Sequence, residues 1–162
     1  MTISKWSTAA LAAMLVCPCS VHAQARMSSG MQDVKRVTCT FSIRATGRWD
    51  GTGVPKAEVK KTSLTMSFDA IDADDGTARV NTRYGDLPII AKASIWSLHL
   101  LQVGSEGTML LTTVFNRENR PGKFKAVYTI HEFTPIGLPN FASQPAQHYG
   151  ECAIERSHES AR

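Results

Sequence analysis

Hydrophobic side chains recur at every second position over much of the sequence from residue 37 onward. In residues 37–44 the odd positions are apolar and the even positions polar, and residues 63–68 repeat the alternation. A period of two places successive side chains on opposite faces of an extended chain, so each segment predicts a half-buried β-strand. No segment shows a convincing helical period. The pattern therefore predicts an all-β fold.

Segments of this kind divide most of the chain. The predicted strands are residues 37–44, 63–68, 78–82, 87–90, 94–103, 108–115, 124–131 and 147–154. Glycine, proline and charged residues fill the stretches 46–62, 116–122 and 134–146, which we interpret as loops and turns. Asp75-Gly76 is typical of a tight hairpin turn, because such turns need positive φ. The predicted architecture is an antiparallel barrel or sandwich of seven or eight strands.

The first 23 residues have a different character. Lys5 precedes an apolar stretch at residues 9–16, and a short polar region ends in Val21-His22-Ala23. This order predicts a Sec-type signal peptide cleaved after Ala23, with Ala25 as the second candidate. The apolar stretch is too short to span a bilayer, so no transmembrane segment is predicted in the mature chain. The predicted organisation is a signal peptide at 1–23, one periplasmic or secreted β-domain at 24–154, and a polar tail at 155–162.

The charge balance of the mature chain excludes one class of partner. Cleavage removes Lys5, which lowers the formal net charge from +4 to +3 over 139 residues (162 less 23). Basic pairs such as Lys60-Lys61 are scattered and are not interleaved with repeated aromatic residues, so we predict no nucleic-acid partner. A basic face of this size is compatible with an anionic glycan or a lipid headgroup.

Two cysteines remain after cleavage, Cys39 and Cys152, one near each end of the mature chain. A bridge between them would place the first and last strands side by side, because bridged Cα atoms lie within about 7 Å. A reactive thiol and a metal site are the alternatives, but neither cysteine has a second one within three residues. Export to an oxidising compartment favours the structural disulfide.

The sequence contains no motif of standard catalytic or metal-binding chemistry. GxSxG, HExxH and CxxC are all missing from the mature chain. Asp72, Asp74 and Gly76 match a calcium loop only in part, because glycine falls at position 5 instead of 6. Glu132 and Glu151 are a possible carboxylate pair for glycoside hydrolysis, which depends on their separation in space. We predict no catalytic residue, no metal and no cofactor.

Four aromatic residues are the candidate contacts with a ligand or partner. They are Trp49, Trp96, Tyr128 and Tyr149, with core packing as the alternative for each. The tripeptide Gly47-Arg48-Trp49 is similar to the Gly-x-Trp motif of lipocalins. Here Asp50-Gly51-Thr52-Gly53 follows it, which is poor strand material, and no later lipocalin signature matches.

Several segments match a second group of proteins. They are Cys39-Thr40-Phe41, Gly47-x-Trp49, Ile71-Asp72 leading to Gly76-x-Ala78-Arg79, Leu111-Thr112-Thr113-Val114-Phe115, and Ser143-Gln144 with Tyr149-Gly150-x-Cys152. Together they resemble small exported proteobacterial proteins of uncharacterised function. In that group the segment matching 125–131 ends in a Ser-Arg-His pattern, which Tyr128-Thr129-Ile130-His131 does not reproduce. The resemblance implies a shared fold and a disulfide, and no activity.

Taken together, the sequence favours a non-enzymatic periplasmic β-domain that binds a small apolar ligand, an envelope polymer or another protein. One alternative is an enzyme acting on a cell-wall or glycan substrate. Another is a structural or assembly factor of the envelope in a host-associated bacterium. The sequence leaves the oligomeric state open.

Overall fold

The alternating segments form antiparallel strands. A computed structural model of the chain describes residues 30–49, 54–104, 107–132 and 145–157. Within these ranges the strands are β1 (Val34–Trp49), β2 (Pro55–Asp72), β3 (Thr77–Thr82), β4 (Gly85–Ala93), β5 (Ser97–Val103), β6 (Met109–Arg120), β7 (Lys123–His131) and β8 (Ala146–Arg156). The predicted signal peptide, residues 134–144 of the predicted loop and residues 158–162 lie outside the described residues.

The strands pair in chain order, and β8 returns to pair with β1, so that one sheet closes in a ring. The predicted all-β antiparallel fold with adjacent first and last strands is confirmed. The ring is not a regular barrel, because strand length varies from 6 residues in β3 to 18 in β2. In the part of the chain that the structure describes, no helix is long and apolar enough to cross a membrane.

The predicted disulfide closes this ring. Cys39 of β1 lies directly opposite Cys152 of β8, and the two residues are bonded. Both are fully buried, so the bridge is part of the core. A crosslink over a sequence separation of 113 residues restricts the unfolded chain and thereby stabilises the folded one.

Apolar side chains fill the inside of the ring. The largest fully buried ones are Phe41, Met31, Ile71, Leu98, Leu100, Val34, Val37 and Val114. Between Phe68, Leu100 and Tyr128 the free volume is about 10 Å³, which is about the room of a single water molecule. At the end where β1 begins, the Met31 amide donates a hydrogen bond to the Ser94 carbonyl at 3.1 Å. We call this the closed end of the ring.

Strands β1 and β2 are much longer than the sequence predicted. The stretch 46–62 was expected to be a loop, but residues 46–49 continue β1 and residues 55–62 belong to β2. Gly47 fits the strand because its amide donates to the Pro145 carbonyl at 3.0 Å. Pro55 is the first residue of its strand, a position where a missing N–H does not interrupt the ladder. We call the paired segments 43–49 and 55–61 the arm.

Other boundaries differ less. Strand β6 continues through Arg120, so the turn predicted at 116–122 shrinks to Pro121-Gly122. Residues 94–96, predicted as strand, form a turn before β5, and β8 continues through Arg156. The Asp75-Gly76 hairpin is confirmed, with Gly76 at φ 76°.

Candidate functional site: a cationic face beside a buried histidine

A β-bulge in β1 sets the direction of the side chains in the arm. The register shifts between Phe41 and Ile43, so that Arg44 lies opposite His148 of β8 and Lys60 of β2. Directly opposite residues in an antiparallel pair share one face of the sheet. Because His148 points into the ring, Arg44 and the alternate residues after it continue the inner face beyond the core.

Gly150 makes this bulge possible. A Cβ atom at residue 150 would lie 2.0 Å from the Thr40 carbonyl oxygen and 2.7 Å from the Phe41 Cα. Both atoms belong to the backbone, so no side-chain rotation could relieve the clash. Glycine is thus required where β8 approaches the bulge in β1.

The inner face of the arm carries most of its charge. It consists of Arg44, Thr46 and Arg48 on β1 and of Lys56, Glu58 and Lys60 on β2. We call these six residues the cationic face. Five of them line a depression of about 160 Å³: Arg44, Thr46, Arg48, Glu58 and Lys60. Four cations and one carboxylate leave this face with a formal charge of +3.

Glu58 lies among the cations, and its single negative charge does not neutralise theirs. Its Oε1 atom is 2.8 Å from Lys60 Nζ, and its Oε2 atom is 4.0 Å from Arg48 Nη2. The hydrogen bond from Lys60, aided by the charges of Lys60 and Arg48, lowers the pKa of Glu58 below its ordinary value. The carboxylate is therefore ionised at neutral pH, and an incoming anion would compete with it for the same cations.

His148 lies at the boundary between this face and the core. Only 6% of its surface is exposed, and its ring packs 5.5 Å from the Tyr128 ring and 6.4 Å from the Phe41 ring between centroids. Its Nδ1 atom is buried with no hydrogen-bond partner. Burial, and secondarily the charge of Arg44, lowers the pKa of His148, so the ring is neutral at pH 7.

The four aromatic candidates from the sequence do not form one site. Tyr128 lies inside the ring, whereas Tyr149 is 42% exposed and its hydroxyl donates to Gln147 Oε1 at 2.5 Å. Trp49 ends β1 opposite Pro55, and its side chain lies outside the part of the chain that the structure describes. Tyr128 and Tyr149 thus have different surroundings.

Trp96 lies at the closed end of the ring. The turn that contains it is held by Ser94 Oγ, which accepts the Trp96 and Ser97 amides at 3.1 Å. Asn116 donates its side-chain amide to the Ile95 carbonyl at 2.9 Å. Trp96 itself is 76% exposed. It is therefore an ordered surface residue, remote from the arm.

The structure separates the candidate carboxylate pair. Glu151 lies opposite Lys125 on β7, and Glu132 follows Lys125 by seven residues. At roughly 3.3 Å per residue the two backbone positions are about 23 Å apart, too far for two glutamate side chains to bring their carboxylates within the roughly 5–9.5 Å of glycosidases. Hydrogen bonds from Arg120, and secondarily from Asn119, lower the pKa of Glu151 to about 2. Glu151 therefore cannot store a proton for acid catalysis.

Asp72, the first residue of the partial calcium-loop match, holds the turn together. Asp72 Oδ1 accepts the backbone amides of Asp74 and Asp75 at 3.1 Å, which stabilises the turn. The hydrogen bond from the Asp75 amide, and secondarily that from the Asp74 amide, lowers the pKa of Asp72. Among the described residues no group of three His, Cys, Asp or Glu side chains could hold a metal ion.

His99 is held by hydroxyl groups on the outer face of the sheet. Its Nε2 atom lies 2.9 Å from Ser97 Oγ, and its Nδ1 atom lies 3.1 Å from Thr113 Oγ1. The hydrogen-bond partners found for its ring are these two hydroxyls, without a carboxylate that would orient it as a catalytic base. The arrangement is that of a structural histidine.

Sequence reasoning missed the cationic face because it assigned no strand there. Positions 44, 46 and 48 and positions 56, 58 and 60 carry polar residues at a spacing of two, which is the signal of a shared face. That signal has meaning only in an extended chain, and Gly47, Gly51, Gly53 and Pro55 led us to predict a loop.

Comparison with known proteins adds no assignment: no family model matches the chain, and no curated protein matches it significantly.

Proposed function

We propose that the protein is an exported, non-enzymatic binding module that takes an anionic ligand on the cationic face of the arm. The observation that carries this proposal is the convergence of Arg44, Arg48 and Lys60 on one depression that contains a single carboxylate. Clustered cations raise the local concentration of anions and speed their association. Arginine adds planar donors that match phosphate and carboxylate oxygens.

The small free volume between the core side chains supports a ligand on the surface over a ligand enclosed in the ring. Pockets for small molecules usually hold about 300–1,000 Å³, far more than the roughly 10 Å³ between Phe68, Leu100 and Tyr128. The same comparison weakens the small-apolar-ligand hypothesis. The separation of Glu132 from Glu151 supports binding over hydrolysis of a glycan.

The disulfide supports an exported location. Bonds of this kind persist in oxidising compartments such as the bacterial periplasm, and they are rare in the cytosol. The N-terminal signal pattern points to the same compartment. Envelope polymers there offer phosphate and carboxylate groups, which are the chemistry that the arm would recognise.

Calorimetric titration with inorganic tripolyphosphate tests this proposal. The variant Arg44→Gln, Lys60→Gln removes two cations from the depression, and Lys92→Gln, Arg117→Gln removes two exposed cations from outside the arm. We expect the first pair to weaken binding at least about tenfold and the second to have little effect, with affinity falling as salt rises. Equal losses in both variants, or no binding at low salt, would contradict the proposal.

A further inference from the structure

A second depression lies on the outer face of the sheet, where β8 passes the bulge in β1. Its volume is about 450 Å³, which is within the range of pockets for small molecules. Tyr149 and Glu151 of β8 line it, and they alternate with His148 and Cys152, which are buried inside the ring. Because successive side chains of a strand point to opposite faces, Tyr149 and Glu151 face outward. We call this space the outer depression.

The bulge in β1 shapes the outer depression. Thr40, Ser42 and Ile43 line it together with Gly150. Ser42 has no partner in the register of β1 with β8 or with β2, because both registers shift at this residue. Bulges of this kind redirect side chains and are frequent beside functional sites. The same irregularity thus directs the arm on one face and forms a depression on the other.

Three polar side chains on the outer depression are held in place by one another. Arg120 Nε donates to Glu151 Oε1 at 2.9 Å and to Glu151 Oε2 at 3.1 Å, and Arg120 Nη2 donates to Oε1 as well. Asn119 Nδ2 donates to Glu151 Oε2 at 3.2 Å. Side chains that are already ordered lose little conformational entropy when a ligand binds, so this set is prepared for recognition.

The charges in the outer depression cancel. Arg120 and Glu151 form an ion pair, and the described residues that line the depression carry no further charge. The hydrogen bonds found there engage Nε and Nη2 of Arg120 and one N–H of Asn119, so Nη1 of Arg120 and Oδ1 of Asn119 can bond to a ligand. One donor group and one acceptor beside a neutral ion pair suit hydroxyl groups better than a net charge.

Tyr149 adds an apolar surface next to these polar groups. Its side chain is 42% exposed, and its hydroxyl donates to Gln147 Oε1 at 2.5 Å, which orients the ring. An aromatic ring offers a large contact area at a small cost in rotamer freedom. A sugar ring is amphipathic in the complementary way, because its C–H groups pack on an aromatic ring while its hydroxyls reach polar neighbours.

We propose that the outer depression binds a neutral glycan. A sugar ring packs against Tyr149, and its hydroxyls bond to Arg120 and Asn119. This site goes beyond the anion-binding function and does not depend on it, because none of the six residues of the cationic face lines the outer depression.

Titration of the ¹⁵N-labelled protein with two neutral trisaccharides, maltotriose and triacetylchitotriose, tests the proposal. We expect at least one of them to shift the amides of residues 119–120 and 149–151, with a dissociation constant of about 1–10 mM. Residues 55–61 of the arm should not respond. Because the ligand is uncharged, the affinity should be unchanged by added salt. If neither trisaccharide shifts the amides of the outer depression, the proposal is wrong.

Variants of Tyr149 identify the apolar contact. After circular dichroism has confirmed the fold, we expect Tyr149→Ala to weaken binding of the trisaccharide at least about fivefold and Tyr149→Phe to change it less than about twofold. Trp96→Ala removes an exposed aromatic side chain outside the depression and is the control. Equal affinities of the folded Tyr149→Ala protein and the wild type would overturn the proposed contact.

A variant of Arg120 tests the polar contact independently of Tyr149. Arg120→Lys keeps the charge and removes the planar guanidinium group, so we expect it to weaken binding of the trisaccharide at least about threefold. Unchanged affinity in this variant would contradict the assigned role of Arg120.

Competition separates this proposal from the anion-binding function. With the trisaccharide bound, tripolyphosphate should shift the amides of the arm and leave those of residues 149–151 in the sugar-bound position. Displacement of the sugar by tripolyphosphate would contradict two separate sites. Sugar binding without any response to tripolyphosphate would support the glycan site and refute the anion-binding function.

Discussion

His148 is buried at the base of the arm with a ring nitrogen that has no hydrogen-bond partner. A buried polar atom without a partner destabilises a fold by about 1–3 kcal/mol. The lowered pKa of His148 also makes stability depend on pH. The unfolded chain binds the proton more readily, so the pH-dependent penalty from His148 is absent well above its ordinary pKa of about 6.5 and grows as pH falls below that value.

The variant His148→Phe removes both effects. We expect its free energy of unfolding at pH 7.5 to rise by about 1 kcal/mol, because Phe41 and Tyr128 offer apolar surroundings. Between pH 7.5 and pH 5 it should lose less stability than the wild type, as measured by urea denaturation. His131→Gln, at an exposed position, is the control. An unchanged pH dependence in His148→Phe would show that another group is responsible.

Ala70 is a second residue that does not suit its conformation. Its φ of 46° lies in the left-handed region, at a register shift between Asp69 and Asp72 in β2. That region costs an L-residue roughly 1–2 kcal/mol, which exceeds the entropic penalty of glycine. We expect Ala70→Gly to raise the unfolding free energy by about 0.5 kcal/mol or more. Ala57→Gly, in the arm, should lower it by about 0.5–1 kcal/mol, and the same sign in both variants would contradict this account.

At the scale of elements, the bulge joins the core to the arm, and Gly150 controls it. We expect Gly150→Ala to lower the unfolding free energy by about 3 kcal/mol, because its Cβ would meet backbone atoms of β1. At Gly47 the nearest atom to an added Cβ is Pro145 Cγ at 3.8 Å, so Gly47→Ala should have little effect. Thermal denaturation measures both changes. Similar losses in both variants would mean that the bulge does not need glycine.

The elements also show what the sequence could and could not predict. Alternation located strands wherever one face is buried, as in residues 63–68 and 124–131, because burial imposes the period of two. The arm stands beyond the core, so its residues 55–61 are exposed on both faces and carry no hydrophobic period. Its pairing depends on strand β1 alongside it, a tertiary influence that local sequence does not express. The cationic face was missed for the same reason.

At the scale of the whole molecule, the positions of the two cysteines carried more information about the strand order than those of any other residues. Their positions predicted that the first and last strands are neighbours, and the register of Cys39 with Cys152 confirms it. They left barrel and sandwich open, because a single crosslink joins two strands and does not fix the path of the other six. The closed ring depends on all eight pairings, which local alternation cannot specify.

The disulfide should account for a large part of the stability of the ring. For a loop of this length the chain-entropy model gives up to about 4–5 kcal/mol. We expect Cys39→Ala, Cys152→Ala to lower the unfolding free energy by about that amount at most, measured by urea denaturation of the variant and of the oxidised wild type. Treatment of the wild type with a reductant under unfolding conditions should give a similar loss. Equal stability of the variant and the wild type would contradict a structural role for the bridge.

The central claim is that the cationic face of the arm is the anion-binding surface of this molecule. Titration of the ¹⁵N-labelled protein with tripolyphosphate, followed by amide chemical shifts, tests it most directly. We expect the largest changes at residues 43–49 and 55–61 and at His148, with the turn that contains Trp96 unaffected. Changes centred on Trp96, or spread evenly over the exposed cations of the ring, would contradict the claim.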